Sequence, residues 1–373
     1  MMGVDTVSLR SRADRVRGQV LLSMVIGRDV KLTKAGNEHV GLCPFHADRS
    51  AGSFSVNDRL GIYKCFSCQA GGDVFKYLIA RKGQTFMEAL RDLEASSGID
   101  FTDAKAKVEW DRIAERRARD EATSAEKKRL SAWGLWFNAH QLEGSPAEQY
   151  LRGRGIDFDK LGGYPRALRF RMDCWNSERG KPLPAMVSAM ILDGKHVATH
   201  RTYLEYRAGR WVKAALDQPK MTLGKFMGGH IPLNKGRCGR MPLHSVPAGT
   251  MADISEGIED GLTVAMFDVG ARVVAAATLG NVGAIVLPAA VTGVTLIQQN
   301  DDEYRALAAR LARDAGFETS ALHHERAAAD IDKVKNANIA THQAAGRAVD
   351  SIWPGPNFKD FNDELRGVRM EGL

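Results

Sequence analysis

Cys43-Pro-Phe-His46 is followed, after eighteen residues, by Cys65-Phe-Ser-Cys68, and these two short strings decide how the chain is read. Each pair has two residues between its ligand side chains, the spacing at which a tight turn wraps one edge of a metal ion. Two such knuckles on neighbouring hairpins complete a tetrahedron of three thiolates and one imidazole. That donor set suits a single zinc ion. It leaves no position for water or substrate, so the site is closed and structural. In so small a unit, metal binding supplies on the order of 10 kcal/mol of folding free energy. Chance placement of Cys and His in a core is a poor rival, because both pairs flank one β-like segment.

Around these ligands sit Phe54, Tyr63 and Phe66, with Arg49, Arg59 and Lys64. Rings beside cations can stack on bases and neutralise phosphates. The same rings can simply pack the small ribbon, and for each ring both readings stand.

Working outward, residues 1–102 read as one small unit ending in an amphipathic helix, with Phe86, Leu90 and Leu93 at helical spacing. Residues 103–130 carry dense charge of both signs and few large apolar groups, the pattern of a solvated helical linker. Residues 131–250 mix Gly and Pro turns with strand candidates at 185–192 and 196–203. From 251 the pattern alternates: a strand ending at Ile254-Ser255, a helix over 257–267, strands at 273–277 and 294–297, a helix over 304–315 and a strand at 349–353. Such alternation predicts an α/β domain with a mainly parallel sheet, within an α+β multidomain chain.

The chain has 373 residues, 44% apolar and 26% charged, with a net charge of +7. That suffices for two or three packed domains. The modest positive excess suits a polyanionic partner. Five cysteines, an odd number in a long chain, argue against a disulfide framework and for metal or free thiols in a reducing compartment. The apolar run 20–26 is too short to span a bilayer, and no signal peptide is visible, so a soluble cytoplasmic protein with no membrane partner is expected. His323-His324 read as surface residues. No Gly-x-x-x-x-Gly-Lys-Ser/Thr loop is present, so no helicase motor is expected.

Here a resemblance enters. The strings Cys43-Pro-Phe-His46, Ser53-Phe-Ser-Val56, Tyr63-Lys-Cys-Phe-Ser-Cys68 and Ala70-Gly-Gly-Asp-Val74 resemble the zinc-binding domain of bacterial replicative primases over about residues 20–100. The resemblance implies a zinc ribbon that helps recognise single-stranded DNA template. Tyr150-Leu-Arg-Gly-Arg-Gly-Ile156 is similar to the start of the primase polymerase core. Arg201, Lys220 and Lys225 fall where that core carries basic residues facing template and nucleotide. The stretch 131–250 looks more like primases of phages and mobile elements than like the chromosomal enzyme.

Three acidic groups follow successive strands: Glu256 with Asp260; Asp301, Asp302 and Glu303; and Asp360 with Asp363. Joining nucleotides needs a divalent metal held by hard oxygen ligands, and strand C-terminal ends in a parallel sheet are well placed to offer them. Glu256-Gly-Ile-Glu-Asp-Gly-Leu262 and Lys359-Asp-Phe-Asn-Asp363 resemble the motifs of a Toprim domain, over about residues 251–366. The resemblance implies Glu256, Asp301 and Asp360 as catalytic acids binding Mg²⁺ or Mn²⁺. Asp260, Asp302, Glu303 and Asp363 would support them.

The chain departs from that family at one place. Gln299-Asn300-Asp301 stands where an Asp-x-Asp is usual, so a neutral amide replaces one carboxylate. A slip of two residues would instead use Asp301 and Glu303. The implied function is a primase making short RNA primers from ribonucleoside triphosphates on single-stranded DNA. Little chain remains after 366 for a helicase-binding domain, so a separate helicase partner is expected. The alternatives are an inactive Toprim nucleic-acid-binding module and a Toprim nuclease.

One equivalent of zinc per chain is expected by atomic emission. Cys43→Ser or Cys65→Ser should lose it, whereas Cys174→Ser and Cys238→Ser should keep it. Retention of zinc in the first pair would refute the ligand assignment.

Overall fold

The computed structural model describes residues 6–46, 52–68, 70–96 and 104–370. Arg49 lies outside them. The chain divides between residues 124 and 125 into two compact units.

The first unit opens with helices α1 (Thr6–Gln19) and α2 (Leu22–Ile26). Strands β1 (Thr33–Ala35), β2 (Glu38–Gly41), β3 (Phe54–Asn57), β4 (Ile62–Cys65) and β5 (Gly71–Gly72) then form one sheet in sequential order, every pair antiparallel. Helix α3 (Val74–Lys82) follows. Asp73 caps its first turn by accepting from Lys76 N at 2.9 Å, and Gly83 ends it in the left-handed region at φ 66°. Helix α4 (Phe86–Ser96) starts on a reciprocal box: Glu88 N donates to Thr85 Oγ1, and Thr85 N donates to Glu88 Oε2. The core joins Phe54, Val56 and Tyr63 of the ribbon to Phe75, Tyr77, Leu78, Leu90 and Leu93 of the helices. Phe54 and Tyr63 are therefore packing residues: with Phe45 and Tyr77 they form a connected ring cluster, Tyr63 meeting Tyr77 edge-on at 5.5 Å. Phe66 alone of the three rings singled out in the sequence is exposed.

Helix α5 (Ala104–Phe137) carries the chain onward. The helix continues past the charged segment through the uncharged residues 131–137. Its last turns belong to the second unit, because Trp136 Nε1 donates to Ala167 O at 2.8 Å and Ala132 O accepts from Thr199 Oγ1 at 2.6 Å.

The second unit holds two sheets. The first contains β6 (His140–Gln141), β7 (Leu168–Asn176), β8 (Lys181–Leu192), β9 (Lys195–Arg207) and β10 (Arg210–Lys213), with β11 (Lys220–Gly224) also paired to β9; helix α6 (Pro146–Gly153) precedes β7. The other sheet runs in the order β12 (Ile231–Asn234), β14 (Val273–Ala275), β13 (Thr250–Ser255), β15 (Val291–Ile297) and β16 (Ala348–Ile352). Its pairs are parallel except β12–β14. The intervening helices are α7 (Ile258–Phe267), α8 (Leu279–Val282), α9 (Asp301–Asp314) and α10 (Glu318–Ala344), and α11 (Phe361–Arg366) closes the described chain. The sheet thus recruits a strand from before residue 251. Its four residues, Ile-Pro-Leu-Asn, include Pro232, which lacks an N–H and is tolerated at an edge. The long segment after Glu303 is helical, and His323 is exposed on it.

Helix α7 packs between the two sheets. Ile258, Leu262 and Ala265 share one core with Met186, Ala198 and Leu204 of the antiparallel sheet and Val273 and Ala275 of the parallel one. The approach is close at Gly261, where a Cβ would lie 2.5 Å from both Leu233 Cδ1 and Ser255 Oγ. Gly261→Ala should therefore cost about 1–3 kcal/mol through overpacking. Gly134→Ala, inside α5 with nothing within 4 Å of the added carbon, should gain roughly 0.5–1 kcal/mol. Denaturant unfolding monitored by circular dichroism measures both; equal effects would refute the packing argument.

Candidate active site and metal centre

The knuckles of the first unit come together. Cys43 and His46 lie on the turn after β2, Cys65 ends β4, and Cys68 is on the turn beyond it. The four ligand atoms all lie within 4.8 Å of one another. Cys43 Sγ is 3.7 Å from Cys68 Sγ, and Cys65 Sγ is 4.0 Å from His46 Nδ1. With Zn–S bonds of about 2.3 Å, a tetrahedral S–S edge is roughly 3.8 Å, so the donor set fits zinc in kind and spacing. Cys68 N donates toward Cys65 Sγ at 3.4 Å, fixing the second knuckle. Burial pushes the Cys43 thiol up to about 12, so a bound cation is needed before all three sulfurs ionise.

In the second unit, loops after three strands of the parallel sheet converge. Glu256 follows β13, and Gly257 caps α7, which places Asp260 on its first turn. Asp260 is buried; its Oδ1 accepts from Asn362 N at 3.1 Å and its Oδ2 from Gln299 Nε2. Asp360 caps α11, accepting from Asp363 N at 2.7 Å. Burial, with the negative charge of Asp360, pushes the Asp260 carboxyl up to about 8. Burial and Asp301 likewise raise Glu256, against the opposing pull of Lys220 and Lys359. Lys359 Nζ is 3.1 Å from Asp301 Oδ1. Asp363 is held at 3.8 Å by Arg154 and 3.4 Å by Arg366.

The two candidate registers of the middle motif differ in geometry. Glu256, Gln299 and Asp301 line one cleft. Asp301 is the first residue of α9, so Glu303 sits about 200° around the helix from it, and Glu303 is exposed. Asp302 turns instead to the buried Lys335 Nζ, which also donates to Gln299 O.

The basic residues separate as well. Lys220 opens β11 opposite Thr202 of β9, while Met221 pairs with Arg201. Strand alternation therefore puts Arg201 on the opposite face from Lys220. Arg201 NH1 donates to Trp175 O at 3.2 Å on that far face. Lys225 is exposed and follows the last residue of β11, roughly 16 Å along the strand from Lys220. Of these three, Lys220 is the one that faces the acids.

Glu259 is the functional-site residue that sequence reading passed over. It is 5% exposed. Tyr150 OH donates to its Oε1 at 2.7 Å, Lys213 Nζ lies 3.8 Å from Oε1, and Lys220 Nζ lies 3.5 Å from Oε2. Burial alone would raise this carboxyl, but Lys220, Lys213 and Tyr150 together hold it far below the usual range. Lys220 also crowds His200, which burial drives down to about 3, so that imidazole is neutral and bonded to Thr222 Oγ1 at 3.0 Å. Lys213 and Lys335 carried no sequence signal, since their roles arise from contacts 36 to 46 residues away, while Asn362 lay inside the quoted 359–363 motif without being singled out.

Residues 9–109 match the family model of the CHC2 zinc finger, and residues 126–233 match a domain of unknown function. The DNA primase of Geobacillus stearothermophilus is 31% identical over 209 residues, 52% of this chain and 33% of the relative. That of Deinococcus radiodurans is 34% identical over 153 residues, 41% of this chain and 24% of the relative. The aligned stretches thus span a quarter to a third of these relatives' length. Among solved structures, the Aquifex aeolicus primase comprising zinc-binding and RNA polymerase domains aligns over 96% of this chain and 83% of its own. The TM-score is 0.37 and the identity 16%. The primase fragment of the bacteriophage T7 primase-helicase aligns over 88% of this chain and 95% of its own, with a TM-score of 0.33 and 11% identity. Among the described residues, no helix is long and apolar enough to cross a membrane.

The Asp260 carboxyl fixes a pH dependence. Its pKa is higher folded than unfolded, so between about pH 4 and pH 8 the folded chain holds a proton that the unfolded chain has lost. Its contribution to stability therefore falls as pH rises through that window. Asp260→Asn, measured without added divalent cation, should gain in stability relative to the parent from pH 4 to pH 8 and level off above. A constant difference across that range would refute it.

Proposed function

We propose that this chain, a relative of the bacterial DNA primases carrying a CHC2 zinc finger, is itself a primase that makes short RNA primers on single-stranded DNA. The observation that carries the reading is the convergence of Glu256, Asp260, Asp301 and Asp360 from three strand ends, with Lys220 and Lys359 among them. Carboxylate and amide oxygens in one cleft are the hard donors that Mg²⁺ or Mn²⁺ prefers. Glu256, Asp301 and Asp360, with the Gln299 carbonyl oxygen, would hold such an ion. When bound, it would neutralise triphosphate charge and lower the pKa of the attacking hydroxyl.

The protein's own groups have separate tasks in this reading. The two lysines hold phosphate oxygens by charge. Glu259 fixes Lys220 in place. Asp260 orients Gln299 and the backbone at Asn362 by accepting from both. In the same proposal the zinc-binding unit to residue 102 engages template and the charged helix over 103–130 tethers it. The segments 131–250 and 251–373 form the polymerising core. A separate helicase of the same phage, plasmid or integrative element would deliver the enzyme to its template in the bacterial cytoplasm. That partner is tested by stimulation of primer synthesis on addition of the element's helicase.

The deciding assay incubates the full chain with single-stranded DNA, labelled ribonucleotides and Mg²⁺ or Mn²⁺. Short labelled products are expected, reduced by at least about 100-fold in Glu256→Gln. Gln299→Asp should raise the rate in Mg²⁺, because it restores a carboxylate beside Asp301, whereas Glu303→Ala should leave it unchanged. DNA shortening without nucleotide use would make the protein a nuclease. Binding without either product would make it an inactive module, the reading that Gln299 favours.

A further inference from the structure

A second cavity of about 280 Å³ lies in the same unit and shares no lining residue with the acidic cleft. It sits at the edge of the parallel sheet. Pro232 and Val274, cross-strand partners on β12 and β14, line it, whereas their neighbours Ile231, Leu233, Val273 and Ala275 turn into the core around α7. The cavity therefore opens on the face away from that helix.

Two polar side chains are built into its wall. His230 is 4% exposed, and its Nδ1 has no hydrogen-bond partner in the protein. Arg272 is 5% exposed; its NH2 donates to Met241 O at 2.7 Å, and its Nε is unpartnered. A buried guanidinium is ordinarily matched by a carboxylate. The one carboxylate among the lining residues is Asp193, on an exposed turn. Lys235 adds a further positive charge at the rim, donating to Arg240 O at 2.9 Å; burial first, then Arg272, Arg166 and Arg240, depress its ammonium. Arg272 and Lys235 make the cavity electropositive, whereas burial, with Arg272 and His244 nearby, pushes the His230 imidazole down to about 4 and keeps it neutral. Leu243, Val286 and Pro288 supply much of the apolar wall, with the polar Asn234 beside them. Beside them the His244 ring lies flat enough against Gly194 that a Cβ there would meet its Cε1 at 2.5 Å.

We propose that this cavity is a nucleotide-phosphate site, with the phosphate on Arg272, His230 and Lys235 and the sugar and base against the proline and valine wall. Arginine presents paired N–H donors that match phosphate oxygens, and an anion there supplies the counter-charge that the protein omits. The volume is near the lower end of ligand pockets, roughly 300 Å³, which admits one nucleotide. Inorganic phosphate would leave the apolar wall uncovered. A free mononucleotide and the 5′-phosphorylated end of an oligonucleotide offer the same chemistry. The proposal does not rest on the primase reading.

The test is titration calorimetry of the full chain, without added divalent cation, against AMP, GMP and a deoxyadenosine dinucleotide with and without a 5′-phosphate. Binding is expected for phosphate-bearing probes, weakened about tenfold in Arg272→Gln. Because Arg272 also holds Met241 O, two variants at exposed positions accompany it: Lys235→Gln should weaken binding several-fold, and Val286→Trp, which fills the cavity, should abolish it. Glu256→Gln should bind as the parent does. Tighter binding of the mononucleotide assigns a free nucleotide; tighter binding of the phosphorylated dinucleotide assigns a chain end. No binding of any probe up to about 5 mM overturns the proposal, as does binding that survives both Lys235→Gln and Val286→Trp or that is lost in Glu256→Gln.

Discussion

Glu259 is a carboxylate taken almost wholly out of water on the first turn of α7, and the second unit is arranged around making that tolerable. Desolvating such an ion costs several kcal/mol unless charge and hydrogen bonds answer it. Here the answer comes from three different elements: Tyr150 of α6, Lys213 ending β10 and Lys220 opening β11. The one buried group thereby ties the antiparallel sheet and α6 to the helix that carries the acids. It also sets the local field. Lys220 is drawn in by Glu259 and then acts on Asp260 and Glu256, so acids that would repel one another share a small space.

That crowding is what the acidic cleft offers chemically. Asp260 is raised by burial and by Asp360, and Glu256 by burial and Asp301. Both shifts record burial first and neighbouring carboxylates second, so protons are held in a crowded site of carboxyl groups. Gln299 donates its amide to Asp260, so it is part of the hydrogen bonding of the cleft rather than a side chain at its rim.

The first unit solves a different problem. Its sheet has strands of two to four residues, too short to hold a core alone. The four metal ligands clamp one end of the ribbon. The ring cluster of Phe45, Phe54, Tyr63 and Tyr77 joins its other face to α3. Rings that could have met nucleic acid are thus committed to packing, and Phe66 is the one left outside.

What the sequence determined by itself was local. The spacing of Cys43, His46, Cys65 and Cys68 is a statement about turns, and turns are written within a few residues. The same holds for Asp73 and Gly83 bounding α3, and for the strand-then-helix alternation around Glu256, Asp301 and Asp360 that announced an α/β sheet. What tertiary structure decided was which of these residues meet. Arg201 and Lys220 looked equivalent in the chain. The register of β9 against β11 sends them to opposite faces, because side chains alternate with a period of two and register is set by pairing rather than by either strand. Glu259 stood unremarked inside its motif, and only the packing of Tyr150, Lys213 and Lys220 shows it buried and paired. Asp301 and Glu303 had the spacing of an alternative acidic pair, but α9 begins at Asp301 and turns Glu303 to solvent. In each case the deciding contact spans tens of residues, and no local pattern encodes it.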